Sequence, residues 1–270
     1  IQNLQRAFRL NPEKSKVYFI RGLAYLNFDQ PLLATAYFDE ALRLDPEDHL
    51  AFMERGMAYS ALGDYRQALK DLEVSISLNP ENDEAYFNLG MAAYRAGNLQ
   101  EGIDALTEAI HLNSAKSTET NLGLIASRDM ARQANSVIAR IHLDSSRFED
   151  ALVNLQRVIG TTPEDAEAHA LRGVALSNLD RYQPAVEAFE KTINIDPEYE
   201  IDFTNFGMSY FWLGRVSEAL QVLERAINLN PEDVKALAYR GIAHHELGRS
   251  DLAFDDLGKA LSIDPTRPEI

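Results

Sequence analysis

From Pro46 to Pro80 the chain reads PEDHLAFMERGMAYSALGDYRQALKDLEVSISLNP. Leu62-Gly63-Asp64-Tyr65 interrupts two apolar stripes at helical spacing, glycine being tolerated where a helix ends in a left-handed residue. The Asp45-Pro46-Glu47-Asp48 block ends one helix, because proline restricts the residue before it, and opens the next with acidic caps. The passage therefore reads as one helical hairpin. The same step runs along the chain: Pro12, Pro46 and Pro80 lie 34 residues apart, Ser114 takes the next mark, and Pro163, Pro197, Pro231 and Pro265 resume it. A 34-residue period is the mark of a helical solenoid.

Two further series keep this step. Ten residues after each proline stands a small residue, Gly22, Gly56, Gly90, Gly173, Gly207 or Gly241, with Ala139 in the odd repeat. Twelve residues on come Ala34, Ala68, Gly102, Ala151, Ala185, Ala219 and Ala253, each followed four residues later by a larger apolar group: Phe38, Leu72, Leu106, Leu155, Phe189, Leu223 or Leu257. Small side chains on facing helices let two backbones approach, and the larger residues fill the space around the contact. Each unit buries its stripe only against its neighbours.

Aromatic, small, aromatic, alanine, aromatic and proline at these offsets resemble the tetratricopeptide repeat family, over nearly the whole chain. The resemblance implies an all-α, right-handed superhelical solenoid of helical hairpins, with seven full units after a leading half-unit. The array is read as a single domain over 1–270: half-unit 1–14, units 15–48, 49–82 and 83–116, an insertion at 117–131, then units 132–165, 166–199, 200–233 and 234–267. Repeat arrays have no internal boundary and grow one unit at a time. Residues 1–14 read as a second helix without its first, with Leu4, Ala7 and Phe8 uncovered, and Pro265-Thr266-Arg267-Pro268 stops where another unit would begin. This suggests a fragment of a larger protein and predicts self-association through uncapped ends.

Composition narrows the function. The net charge of −16 owes much to acidic residues in the turn blocks, where they favour helix N-termini. A strongly acidic chain repels phosphate backbones, so nucleic acid is not expected as a ligand. No apolar run approaches the roughly 18 to 20 residues a membrane span needs, so direct membrane insertion is not expected. With no cysteine the redox compartment is undetermined, and in the absence of a targeting segment the cytoplasm is favoured. No phosphate loop, nucleophile elbow or histidine pair at metal spacing appears, so neither catalysis nor a cofactor is expected. His142, His169 and His244 stand where other units place aromatics, which makes them packing residues.

The resemblance implies a non-enzymatic protein-interaction scaffold, binding a peptide or helix of a partner along an inner wall formed mainly by the first helix of each unit. Carried onto this sequence, the wall holds Phe19, Leu23 and Leu26, then Met53, Met57 and Ser60, then Phe87, Met91 and Tyr94, and later Met208, Phe211, Tyr239 and Ile242. Packing on neighbouring units is the plainer reading of such a stripe. Yet Tyr18, Tyr25, Phe52, Tyr59, Phe203 and Tyr210 already supply packing on the other face, and methionine suits an adaptable surface. Asn88 and Asn205 occupy the position from which related arrays hold a peptide main chain, an amide both donating and accepting. The carboxylate clamp of chaperone-binding relatives is absent: Lys16 alone is in place, with Phe19, Leu23, Glu54, Glu84 and Asn88 where the rest should stand.

One break interrupts the step. From Ser114 to Pro163 is 49 residues, one unit plus 15, roughly 22 Å of chain if helical. The surplus favours an overlong first helix from about Thr118 to about Leu143, although the echo of Asn88-Leu89-Gly90 in Asn121-Leu122-Gly123 leaves a separate degenerate helix or a loop open. Leu122, Ile125, Arg128 and Arg132 would form its surface, and Arg140, expected among the partner-binding residues, adds to a locally basic stretch. An assembly or dimerisation module acting through this insertion and the ends is the alternative function. A substrate-docking arm of a larger enzyme is the third.

Overall fold

The computed structural model describes residues 15–115 and 121–266, with the side chains of residues 121–125 left aside. Among the described residues every regular element is an α-helix. The chain forms two compact units, residues 1–141 and 142–270. In the first lie α1 (Ser15–Asn27), α2 (Pro31–Leu44), α3 (His49–Ala61), α4 (Tyr65–Leu78), α5 (Asp83–Ala96), α6 (Leu99–Ala115) and most of α7 (Asn121–Asp144). The second holds α8 (Phe148–Thr161), α9 (Ala166–Asn178), α10 (Tyr182–Ile195), α11 (Phe203–Trp212), α12 (Val216–Leu229), α13 (Val234–Glu246) and α14 (Ser250–Ile263). Within each unit consecutive helices pair as hairpins, and first helices of successive hairpins, such as α3 with α5 and α11 with α13, also touch.

The small residues sit where their spacing places them. A Cβ added at Gly22 would fall 2.5 Å from the Phe38 ring, and one at Gly90 would fall 2.5 Å from Leu106 Cγ. Gly56, Gly173, Gly207 and Gly241 meet Leu72, Phe189, Leu223 and Leu257 in the same way. Phe38, Leu72, Leu106, Phe189 and Leu223 are fully buried, so the glycine and filler series are two halves of one contact.

The punctuation is equally local. Asp48 accepts hydrogen bonds from the backbone N–H groups of Leu50 and Ala51, and Asn82, Asp165 and Asp233 cap their helices through Ala85, Ala168 and Ala236. The turn inside each hairpin needs a left-handed residue, which Gly63, Gly97, Gly214 and Gly248 supply. Asp29, Ser146 and Asp180 adopt it without being glycine, at φ of 55°, 55° and 59°.

The surplus residues lengthen two helices. α6 has 17 residues instead of the 14 of α2 and α4, because Ser114 stands where Pro46 and Pro80 end those helices, and it keeps the N–H that proline lacks. α7 runs over 24 described residues, Asn121–Asp144, and the expected start near Thr118 lies outside the described residues. The two are tied by Asn113, 7% exposed, whose amide donates to Asp83 Oδ2 at 3.1 Å and to Met130 Sδ at 3.5 Å, and whose carbonyl accepts from Ser127 Oγ. At Ser127 and Met130, α7 is therefore docked on its own unit. The half-unit 1–14, with Leu4, Ala7 and Phe8, lies outside the described residues. No helix among the described residues is long and apolar enough to cross a membrane.

Candidate functional site

In the first unit α3 and α5 lie side by side over α4 and enclose an open cleft of about 240 Å³. Its wall is Met57, Ser60 and Ala61 of α3, Leu72 of α4, and Phe87, Asn88, Met91 and Arg95 of α5. The α5 set follows from helical spacing, which brings residues three and four apart onto one face. Met57, Phe87, Asn88 and Met91 are each half-buried and Arg95 is exposed. Phe87 and Met91 also pack on Leu106, Ala134 and Ile138, so part of each side chain belongs to the core and part to the cleft.

Acid lies on the same face. Glu54, one turn before Met57, takes the position that Asn88 holds on α5. Burial, and then the charge of Glu84, push its carboxyl up to about 7. A desolvated carboxylate favours either a proton or a cation brought to it.

The other expected wall residues divide. Phe19, Leu23 and Leu26 are half-buried and pack on Ala34, Phe38 and Ala58. Tyr94 is half-buried and Arg140 exposed. Met53, Met208 and Phe211, expected to face a ligand, are instead buried at 3%, 7% and 9% exposure. Met53 is covered because it packs with Leu72, Ala85 and Leu89 and its sulfur accepts from the Asn82 amide at 3.6 Å. Phe211 is enclosed edge-on by Trp212 and Tyr239. Asn205 also departs from its expected role: it is 8% exposed and its amide donates to Asp202 Oδ2 at 2.6 Å, across the N-terminus of its own helix. Tyr239 and Ile242 are half-buried against the core of the second unit. On α7, Arg128 is exposed and Arg132 pairs with Asp129 at 3.0 Å, while the side chains of Leu122 and Ile125 lie outside the described residues.

His142 and His169 are buried at 6%, and burial lowers the basicity of His142. The His169 Nε2 lies 2.9 Å from the Pro163 carbonyl oxygen. His244 is half-buried and also less basic through burial, but it lines a cleft of about 400 Å³ with Arg240 and Asp256.

Sequence reasoning passed over Arg95 and Trp212. Both stand in the register that closes a first helix, Trp212 as the last residue of α11 and Arg95 as the last but one of α5, where the other units carry Asn27, Ala61, Asp144, Asn178 and Glu246. A lone tryptophan in that column of small, polar and charged residues is the signal that could have marked the second.

Hairpins stacked through a glycine seated on a large apolar residue define a helical-repeat scaffold, a protein-interaction module. A family model described as tetratricopeptide repeat matches residues 1–49, 53–117 and 137–200, and one described as TPR repeat matches 207–248; the chain belongs to the tetratricopeptide repeat family. The lengthened start of α7 falls between two matched segments. Among solved structures the chain is similar to YrrB, a TPR protein with an unusual peptide-binding site, at 20% identity over 73% of this chain and 93% of that one, with a TM-score of 0.59. It is similar to MamA at 21% identity over 69% and 94%, with a TM-score of 0.59. A tetratricopeptide repeat protein from Parabacteroides merdae ATCC 43184 matches at 13% identity over 94% of both chains, with a TM-score of 0.62. No curated protein matches the chain significantly in sequence. At these identities the likeness is one of fold.

Proposed function

We propose that the chain is a non-enzymatic scaffold that binds an extended peptide or a helix of a partner protein along the first helices of the first unit, with the cleft between α3 and α5 as its anchor point. The observation that carries this reading is the convergence of Met57, Phe87 and Met91 with one half-buried amide, Asn88, on an open cleft. Apolar walls bind a side chain, and a few placed polar groups fix its orientation. Asn88 can hold a peptide group by donating and accepting at once. Glu54 and Glu84 give this face an acidic border, which favours ligands with a basic residue beside the apolar anchor.

The chain has five methionines, which makes methyl NMR a direct test. With a peptide selected from a random library on the immobilised protein, the methyl signals of Met57 and Met91 should shift and those of Met53 and Met130 should stay. Shifts confined to Met130, on α7, would move the binding site to the lengthened helix. That outcome would favour the assembly reading, in which Arg128, Arg132 and Arg140 contribute.

That second reading has one observation of its own, Phe254 of α14 at 76% exposure. Sedimentation of wild type and Phe254→Ser across a concentration range tests it. A concentration-dependent mass that the substitution removes would support a second copy on this helix.

A further inference from the structure

The second unit carries an aromatic rim. Trp212, the only tryptophan in the chain, ends α11 with 54% of its surface exposed. Packing of the array does not call for it, since the same register elsewhere is filled by small, polar or charged residues such as Asn27, Ala61, Asn178 and Glu246. Three other rings nevertheless converge on the indole. Tyr182, the first residue of α10, stacks on it with ring centroids 6.0 Å apart and planes 15° apart. Phe211 and Tyr239 meet it edge-on at 5.6 and 6.5 Å. The Tyr182 hydroxyl donates to Asp180 Oδ1 at 2.6 Å, which holds that ring and sets a carboxylate beside the rim.

Such a group is already ordered before anything binds, so little side-chain freedom is lost when a ligand arrives. Its charge is one-sided. The basic residues next to it in sequence are taken up by acids of the same unit: Arg181 by Glu149 at 2.6 Å, and Arg215 by Glu218 at 3.0 Å. Asp180, by contrast, accepts from a neutral hydroxyl. The rim thus presents π faces and a carboxylate, within a chain of net charge −16. Tryptophan is the best aromatic partner for a cation, and the planar guanidinium stacks on it better than an ammonium does.

We propose that this rim is an anchor for an arginine side chain of a partner protein, stacked on Trp212 with Asp180 in reach of its N–H groups. It lies in the second unit and shares no residue with the cleft between α3 and α5. The two sites therefore stand or fall separately.

The lone tryptophan reports on the site directly, through its fluorescence and its single indole N–H resonance. The probes are two acetylated and amidated tetrapeptides, Gly-Arg-Arg-Gly and its citrulline counterpart, which keeps the planar shape and loses the charge. The arginine peptide should move the Trp212 resonance saturably, and the citrulline peptide should bind about two- to fivefold more weakly, the range that an exposed cation–π contact supplies. Trp212→Leu, followed by calorimetry, and Asp180→Asn should each weaken the arginine peptide with the helical circular dichroism unchanged, Trp212→Leu lowering the melting temperature by the ring contacts it removes and Asp180→Asn leaving it nearly as it is. Equal response to both peptides would overturn the cationic occupant in favour of an apolar one. Equal binding by wild type and Trp212→Leu, or the absence of any saturable shift, would overturn the site itself. Self-association of the wild type that Trp212→Leu abolishes would assign the rim to a second copy and overturn the arginine assignment.

Discussion

Arg55 on α3 grips Asp71 on α4 through two hydrogen bonds, Nε to Oδ2 at 2.6 Å and Nη2 to Oδ1 at 2.8 Å, and its remaining Nη1 donates to Asp39 of α2 at 2.7 Å. The same fork joins Arg240 to Asp256 in the second unit, where the register pairs the same two positions. Asp71 is 4% exposed, whereas the Asp39 side chain is 54% exposed. Removing the buried partner leaves a guanidinium short of its counter-charge. Asp71→Ala should cost about 3 kcal/mol, and Asp39→Ala under about 1 kcal/mol, in urea denaturation. Equal costs would mean that solvent reaches Arg55 as freely from both sides.

Gly90 and Gly63 predict two different kinds of damage. Gly90→Ala places a methyl 2.5 Å from Leu106 Cγ and 3.0 Å from the Leu106 backbone nitrogen, an overpacking that should cost about 1–3 kcal/mol. Gly63 has φ of 78° and nothing within 4 Å of an added Cβ, so Gly63→Ala should cost roughly 1–2 kcal/mol through backbone conformation alone. Leu106→Ala should partly rescue Gly90→Ala. It should do nothing for Gly63→Ala.

Glu54 gives stability a pH dependence with a fixed sign. Its carboxyl is pushed up to about 7 by burial and by Glu84, so in the interval between the usual carboxylate value and about 7 the folded chain holds a proton that the unfolded chain has released. This contribution is fully present below the interval and is lost as pH rises through it. Glu54→Gln should therefore stabilise the chain at about pH 8 and make no difference at about pH 4. A benefit equal at both pH values would show that burial of a polar group, not its charge, governs the site.

Much of this was readable in advance because the repeat is a local code. The glycine and filler series named the contacts between Gly22 and Phe38 and between Gly90 and Leu106, and the acidic blocks named the caps at Asp48, Asp165 and Asp233. The site was less legible. Met57 and Met208 look alike in sequence, yet one borders a cleft and the other is buried, because the outcome depends on which neighbours close over each helix. Asn88 and Asn205 share a register too, but Asp202 precedes only the second and claims its amide. The lengthening of α6 was also hidden, since Ser114 marked a missing proline without saying how far the helix would run on.

Ser114 yields a prediction on that point. In the intact chain Ser114→Pro should cost about 3 kcal/mol or more, because α6 continues through this position to Ala115. In a chain lacking residues 117–131, which restores the 34-residue step, the same substitution should be harmless, since proline ends the second helix at this mark elsewhere. Thermal melts of the four chains decide it. A deletion chain that does not fold would show that the Ser127 and Met130 contacts to Asn113 are required by the array.

Fluorescence anisotropy of a library-selected peptide on wild type, Asn88→Ala and Met57→Ser tests the partner-binding cleft between α3 and α5. Each substitution should weaken binding about tenfold, roughly 1.4 kcal/mol, with little change in melting temperature. Affinities within about twofold of wild type for both variants, at unchanged stability, would contradict it.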